Sequence, residues 1–356
     1  MIWSISENTI TYNHLIELIN QGKCSDFFSS FIADIVSDQD INLSSYKINK
    51  TTNDIKNIKD LKSRFFKSKS LITLQTSGTT GSPKTITHKI SDLLKNTKES
   101  SKPKIWLFTY NKYHMGGIQV ILQAFRNNSA IIDVYKKDRQ YILNKILEHK
   151  VTNISATPTF YRLLLPLEKK CYSVNRVTVG GERTDKGTIN IIKNMFPNAK
   201  INNIYATTET GAVLFSKDDR FKINNKVKII DDILHIILED NSLHCTGDLV
   251  EIKDHNCFVF SGRNKNIINI AGNNVNPCEI EDILKTHPSV KDTVVYVKKN
   301  KLLGNVLCCD LVLLNNLELN DIKKYLQENI QELHKIPRII KIKDNIEVSK
   351  TNKVVR

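Results

Sequence analysis

The chain has 356 residues and a formal net charge of +15, with 40% hydrophobic and 25% charged residues, an ordinary balance for a globular protein of two or three compact units. No apolar run approaches the roughly 20 residues needed to cross a bilayer, and MIWSISENTI lacks a basic stretch followed by an apolar core, so no membrane span or signal peptide is expected and the expected location is cytoplasmic. The lysines are dispersed among Asn and Ile residues without a nucleic-acid reader motif, so small anionic ligands are expected and nucleic acid is not.

Leu15–Ile19 and Phe27–Val36 carry helical apolar spacing, and Asn53–Lys69 reads as a polar, partly helical connector. Leu71–Leu74 is a short apolar strand that runs into a glycine-rich turn. Strands then alternate with helices. Strands are predicted at Ile105–Thr109, Ala130–Val134, Asn153–Ser155, Arg176–Val179 and Ile201–Tyr205. Helices are predicted at Gly117–Phe125, Tyr141–His149, Thr159–Leu167 and Lys186–Met195. This alternation implies a mostly parallel, layered sheet covered on both faces. Beyond residue 210 the pattern changes to short strands, Val227–Ile230, Ile233–Leu238, Leu249–Lys253 and Cys257–Phe260, which suggest a small antiparallel sheet or β-barrel. The last segment reads as α+β, with helices at Glu279–Thr286 and Asn320–Leu333 and strands at Val290–Lys298 and Val306–Leu313. The expected fold class is therefore α/β, with a large N-terminal part, an antiparallel subdomain and a small α+β C-terminal domain.

The seven cysteines are odd in number and form no CxxC pair, which argues against a disulfide framework and a zinc site. Glycine is scarce, at 13 residues, and occurs mostly in short polar clusters. The first cluster, TSGTTGSPK, spans Thr76–Lys84. Gly78 and Gly81 allow successive backbone N–H groups to face one concavity, which suits phosphate oxygens. Thr76, Ser77, Thr79, Thr80 and Ser82 add hydroxyls, and Lys84 adds a positive charge. The spacing does not fit the Walker A pattern, because the glycines are too close and Pro83 precedes the lysine.

This loop closely resembles the signature loop of the adenylate-forming superfamily, which holds acyl-CoA synthetases, firefly-type luciferases and peptide-synthetase adenylation domains. Further clusters resemble that family's elements in the same order. Tyr113-His-Met-Gly-Gly117 resembles an element whose histidine, here His114, borders the acyl pocket. Gly180, Gly181 and Glu182 resemble the adenine-side glycine pair. Asn203-Ile-Tyr-Ala-Thr-Thr-Glu209 resembles Asn-x-Tyr-Gly-x-Thr-Glu, with Ala206 in place of the usual glycine. The resemblance gives Tyr205 the adenine stack, Thr208 the α-phosphate and Glu209 the Mg²⁺, a hard cation that prefers oxygen ligands. Thr246-Gly-Asp248 resembles the ribose-binding element, through Asp248. Gly262–Gly272 and Val275–Glu281 resemble the family's GRxDxxIKxxGxxVxPxEIE segment, in which Arg263 contacts the ribose and phosphate region and Lys265 is the hinge. The ending Ser349–Arg356 resembles a contracted Lys-Thr-x-x-Gly-Lys-x-x-Arg element. Lys353 is the counterpart of the catalytic lysine, and Lys350 is its competitor.

The resemblance implies an N-terminal AMP-binding domain over residues 1–263 and a mobile C-terminal domain over 264–356. It implies ATP, Mg²⁺ and CoA as cofactors, and a carboxylic acid as substrate. A phosphopantetheine carrier protein or an amine is the alternative acceptor, and a nucleotide-binding homologue without catalysis is the alternative of another class. The first 70 residues are shorter than the corresponding region of most family members. A similarly short form occurs among some o-succinylbenzoate–CoA ligases, so the acyl pocket is the part least defined by the resemblance.

Overall fold

The computed structural model describes residues 2–5, 9–48, 50–76, 84–95, 97–167, 169–207, 211–238, 240–270, 273–300 and 304–348. The chain divides into two compact units. The first comprises Met1–Ala156, Cys171–Thr178 and Ala206–Ala212, and the second comprises Thr157–Lys170, Val179–Tyr205 and Val213–Arg356.

In the first unit, Ile105–Phe108 pairs in parallel with both Asn153–Ala156 and Ala130–Asp133. Ile2–Ile5 extends the sheet in parallel, and Thr9–Thr11 closes that edge antiparallel. The crossovers between the parallel strands are the helices Met115–Arg126 and Arg139–Glu148, as the alternation in the sequence requires. Helix starts follow side-chain capping. Thr11, Asp26, Asn57 and Asp138 each accept from a backbone N–H in the first turn of the helix that follows. The core beside the sheet is aromatic. Phe125 lies with its ring centroid 5.3 Å from Trp3 and 4.4 Å from Phe65, and Trp3 also meets Tyr12. Each such buried ring contributes about 1.5–3 kcal/mol of transfer free energy.

A second sheet in this unit contains Ile41–Asn42, Leu71–Thr76 and Lys84–Lys89. The strand Lys84–Lys89 was not evident in the sequence, because in KTITHK only Ile86 is strongly apolar. It forms because it pairs antiparallel with Leu71–Thr76 along its whole length.

In the second unit, five antiparallel strands run in the order Arg220–Lys222, Cys257–Arg263, Leu243–Asp254, Ile233–Ile237 and Val227–Ile230. Phe221, Leu234, Val250 and Phe258 fill its core. The C-terminal α+β part pairs Val290–Asn300 antiparallel with Gly304–Leu313, which runs parallel to Ile339–Ile342. The helices Pro277–Thr286 and Leu319–Asn329 bury Ile280, Leu284, Ile322 and Leu326 in its core.

Three elements end differently from the sequence reading. The helix expected over Thr159–Leu167 spans Pro158–Leu163, since Leu165 precedes a proline, where helical backbone is disfavoured. The helix expected to Leu333 stops at Asn329, because Ile330 turns to extended backbone and buries its side chain. The strand expected over Leu249–Lys253 begins at Leu243 and carries an irregularity that breaks its apolar alternation.

Candidate functional site

That irregularity shapes a candidate site. Cys245 pairs with His235 and Leu249 pairs with Ile233, so Thr246, Gly247 and Asp248 together face Leu234. The extra residues bulge. Gly247 takes φ +69°, a left-handed conformation that suits glycine. The Thr246 hydroxyl donates to the Leu234 carbonyl at 2.7 Å and accepts from the Asp248 N–H at 3.1 Å, which fixes the bulge.

The bulge holds the buried Asp248 carboxylate between two donors. Tyr205, on the strand Lys200–Thr207, donates its hydroxyl to Oδ2 at 2.6 Å. Arg263 lies opposite Asp248 in register and donates Nε to Oδ1 at 2.6 Å. The Tyr205 ring stacks on Phe260, with centroids 4.6 Å apart and planes 25° apart. Burial, and then the Asp248 charge, push the Tyr205 phenol far above its ordinary value, so it stays protonated and donates. Asp248 is 9% exposed in its side chain and Arg263 is 47% exposed, so the cation reaches solvent from a sheltered anion. Each carboxylate oxygen has a second lone pair, suited to vicinal hydroxyls, and the guanidinium fork suits an anion.

The adjacent predicted residues have structural partners. Asn203 is buried; its Oδ1 accepts from the Thr184 hydroxyl at 3.1 Å and its Nδ2 donates to the Asp218 carbonyl at 2.8 Å. It braces the strand that carries Tyr205. Gly181 takes φ +82°, and a Cβ on Gly180 would lie 2.8 Å from the Ile204 carbonyl oxygen, so this turn requires glycine. Glu182 accepts from the Thr159 N–H at 3.1 Å and the Thr159 hydroxyl at 2.7 Å.

In the first unit, His114 caps the helix Met115–Arg126, and its Nδ1 accepts from the Gly116 N–H at 3.3 Å. Thr76 and Lys84 are cross-strand neighbours, and Ser77, Gly78, Thr79, Thr80, Gly81, Ser82 and Pro83 lie between them in the sequence. Those seven residues lie outside the described residues, as do Thr208, Glu209, Lys350 and Lys353, and the side chains of Thr76, Lys84 and Lys265. The backbone of Lys265 lies in the short turn Asn264–Asn266, directly after Arg263. Ala206 is exposed near the end of its strand. Among the described residues, no three His, Cys, Asp or Glu side chains are grouped to hold a metal.

A charged cluster in the second unit was not read from the sequence. Arg162 and Arg183 meet Asp185, Asp282 and Asp292. Only the place of Arg183, directly after Gly180-Gly181-Glu182, could have drawn notice. Its partners are distant in the chain and no local pattern announces them.

The family model described as "AMP-binding enzyme" matches residues 32–240, and that described as "AMP-binding enzyme C-terminal domain" matches residues 279–353. A 2-succinylbenzoate–CoA ligase of Staphylococcus aureus (strain Newman) is 23% identical over 321 residues, covering 79% of this chain. The match covers 65% of that relative, so the chain spans somewhat less than two thirds of its length. The o-succinylbenzoate CoA synthetase MenE of Bacillus subtilis, solved with the acyl-adenylate OSB-AMP, superposes with a TM-score of 0.69 at 16% identity, covering 99% of this chain and 94% of that one. The amide bond synthetase McbA of Marinactinospora thermotolerans superposes with a TM-score of 0.63 at 15% identity, covering 78% and 66%. Both likenesses are of fold. No helix among the described residues is long and apolar enough to cross a membrane.

Proposed function

Because this chain belongs to the AMP-binding enzyme family, we propose that it activates a carboxylic acid with ATP and passes the acyl group to a thiol, that of CoA. A carboxylate oxygen attacks the α-phosphorus of ATP. An acyl–phosphate anhydride bond forms, the bond from the α-phosphorus to the β-bridging oxygen breaks, and pyrophosphate leaves. The thiol sulfur then attacks the acyl carbon, the thiol proton is lost, and AMP departs with the electron pair. Positioning and charge compensation carry such a reaction.

The observation that carries this reading is the Tyr205–Asp248–Arg263 constellation. Asp248 accepts the ribose hydroxyls, Arg263 faces the ribose and phosphate region, and the Gly180–Glu182 turn flanks the adenine. Tyr205 keeps one ring face against Phe260 and offers the other to the base. By the family resemblance, Thr76–Lys84 hold the β- and γ-phosphates, Thr208 the α-phosphate, and His114 borders the acid. Mg²⁺, which would neutralise phosphate charge, fits Glu209, an oxygen ligand of the right class. Lys353 bridges the carboxylate and phosphate. The domain boundary falls at residues 263 and 264, with Lys265 as the hinge, and the protein works in the cytoplasm.

An amine acceptor is the second reading, favoured by the fold shared with McbA; a phosphopantetheine carrier is a further thiol source. Acid-dependent exchange of labelled pyrophosphate into ATP, screened over short, aromatic, fatty and amino acids, tests the activation step. Lys353→Ala should nearly abolish exchange; loss in Lys350→Ala alone would move the role to that lysine. ATP binding without exchange for any acid would replace the ligase reading with a non-catalytic one. Product analysis with CoA, a carrier or an amine then separates the acceptors.

A further inference from the structure

The cluster around Arg162 and Arg183 joins segments on either side of the Asn264–Asn266 turn. Before the turn lie Arg162, Arg183 and Asp185; after it lie Asp282, Lys285 and Asp292. Arg162 is sealed from solvent. Its Nη1 donates to the Thr188 hydroxyl at 2.6 Å and to Asp185 at 3.5 Å, and its Nη2 donates to the Thr159 hydroxyl at 3.3 Å. Its Nε lies 3.2 Å from Asp292 Oδ1 as an ion pair. Lys285 Nζ is 4.0 Å from the same oxygen. Arg183 is half-buried; it donates to the Phe260 carbonyl at 3.1 Å, to the Cys278 carbonyl at 3.4 Å and to the Asp282 carboxylate.

The backbones approach closely at the same place. A Cβ on Gly187 would lie 3.2 Å from the Lys285 carbonyl oxygen, and one on Gly262 would lie 2.9 Å from Asn276 Oδ1. Helix Lys186–Met195 and helix Pro277–Thr286 therefore meet with little room for a side chain between them. Arg162, Arg183 and Lys285 face Asp185, Asp282 and Asp292 here, and the Glu182 charge also acts on Arg162.

We propose that Arg162 and Arg183 are an electrostatic latch that holds the segment after Lys265 docked against the Gly180–Asp185 turn, and so sets how the protein divides its time between acyl-adenylate formation and acyl transfer. The division of labour rests on the ligase reading above; the latch itself does not. Apolar burial alone would favour the docked state with no charge desolvation to offset it. A buried ion-pair network differs, because the charges regain hydration when it opens, so docked and released states lie close in free energy. The wetter pair opens first. The Arg183 and Asp282 side chains are 23% and 35% exposed, against 5% and 9% for Arg162 and Asp292. The network also reaches the nucleotide side, because Thr159 binds both Arg162 and Glu182.

The test places spin labels at Lys193→Cys and Lys323→Cys, both exposed positions, in full-length protein carrying Cys245→Ser and Cys257→Ser. The parent should show one dominant distance. Asp282→Asn and Arg183→Gln should each raise the longer-distance population about tenfold. Arg183→Lys, which keeps the charge but loses the fork, should fall between. The same variants should change the ratio of thioester formation to pyrophosphate exchange. Folded variants with the parent's distance distribution would overturn the latch, as would equal loss of both half-reactions. If Arg183→Gln does not fold, Asp282→Asn decides. A distance shift in a protein without exchange activity leaves the latch standing and removes the ligase reading alone.

Discussion

Asp248 and Asp185 are carboxylates of similar burial in different surroundings. Asp248 faces an arginine whose side chain is 47% exposed, while Asp185 faces one that is 5% exposed. Burial pushes the Asp185 carboxyl up, but Lys285, Arg162 and the Thr188 donors outweigh it and hold it at about 2. A carboxylate whose cation reaches water can rearrange around a ligand. One whose cation is sealed has no such freedom around a ligand and acts between chain segments. Exposure of the cation, more than burial of the acid, is where the two carboxylates differ, and on the proposed function it would distinguish a binding site from a brace.

The largest test of that contrast is the removal of each arginine. Arg162→Ala leaves Lys285 facing both Asp185 and Asp292 in a dry cluster, one cation short, and should cost about 3–5 kcal/mol of stability in denaturant unfolding. Arg263→Ala should cost less than about 1 kcal/mol, because a solvent-reaching pair is screened, and should instead weaken ATP binding. Equal stability losses would break the comparison.

Asp185→Asn sharpens it through pH. The folded carboxyl sits at about 2, below its ordinary 3.8. Its stabilising contribution is therefore complete above 3.8 and lost as pH falls through 2. The depression corresponds to about 2 kcal/mol at neutral pH. The stability gap between parent and variant, followed by urea unfolding, should narrow between pH 4 and pH 2. A gap that does not change with pH would mean that the charge contributes nothing.

Asp248→Asn tests the other side. It retains the shape and one acceptor oxygen but removes the charge paired with Arg263. The KM for ATP should rise about tenfold, equivalent to about 1.4 kcal/mol, with a smaller change in stability than Asp185→Asn. A loss confined to stability would make Asp248 a brace as well.

How far these roles were visible in the sequence depends on the range over which each is encoded. Helices Phe27–Val36 and Lys186–Met195 begin and end where the sequence reading put them, since Asp26 and Asp185 supply the caps and the apolar spacing is regular. The residues of the Asp248 bulge stood out as a motif, but the bulge looked like the absence of a strand, because Thr246, Gly247 and Asp248 interrupt the alternation that marks one. The motif that carries Asn203 stands out in the sequence, but the hydrogen bonds of its amide with Thr184 and Asp218 do not; type and spacing do not reveal a side chain's partners. The latch residues were missed entirely. Arg162, Asp185 and Asp292 become neighbours only once the sheets and helices are assembled.

Tyr205 divides its side chain between the two uses, and the smallest expected effect lies there. Its ring packs on Phe260 and its hydroxyl serves Asp248. Tyr205→Phe keeps the ring and deletes one hydrogen bond to a charged acceptor that Arg263 still pairs. The expected loss is about 1 kcal/mol, a roughly fivefold rise in KM for ATP, with kcat nearly unchanged. Tyr205→Ala removes the stack as well and should cost more in both affinity and stability. If Phe and Ala at this position are equally harmful, the hydroxyl carries the role and the ring is only a spacer. If Phe is silent, Arg263 alone orients Asp248, and the contrast with Asp185 reduces to the exposure of a single guanidinium.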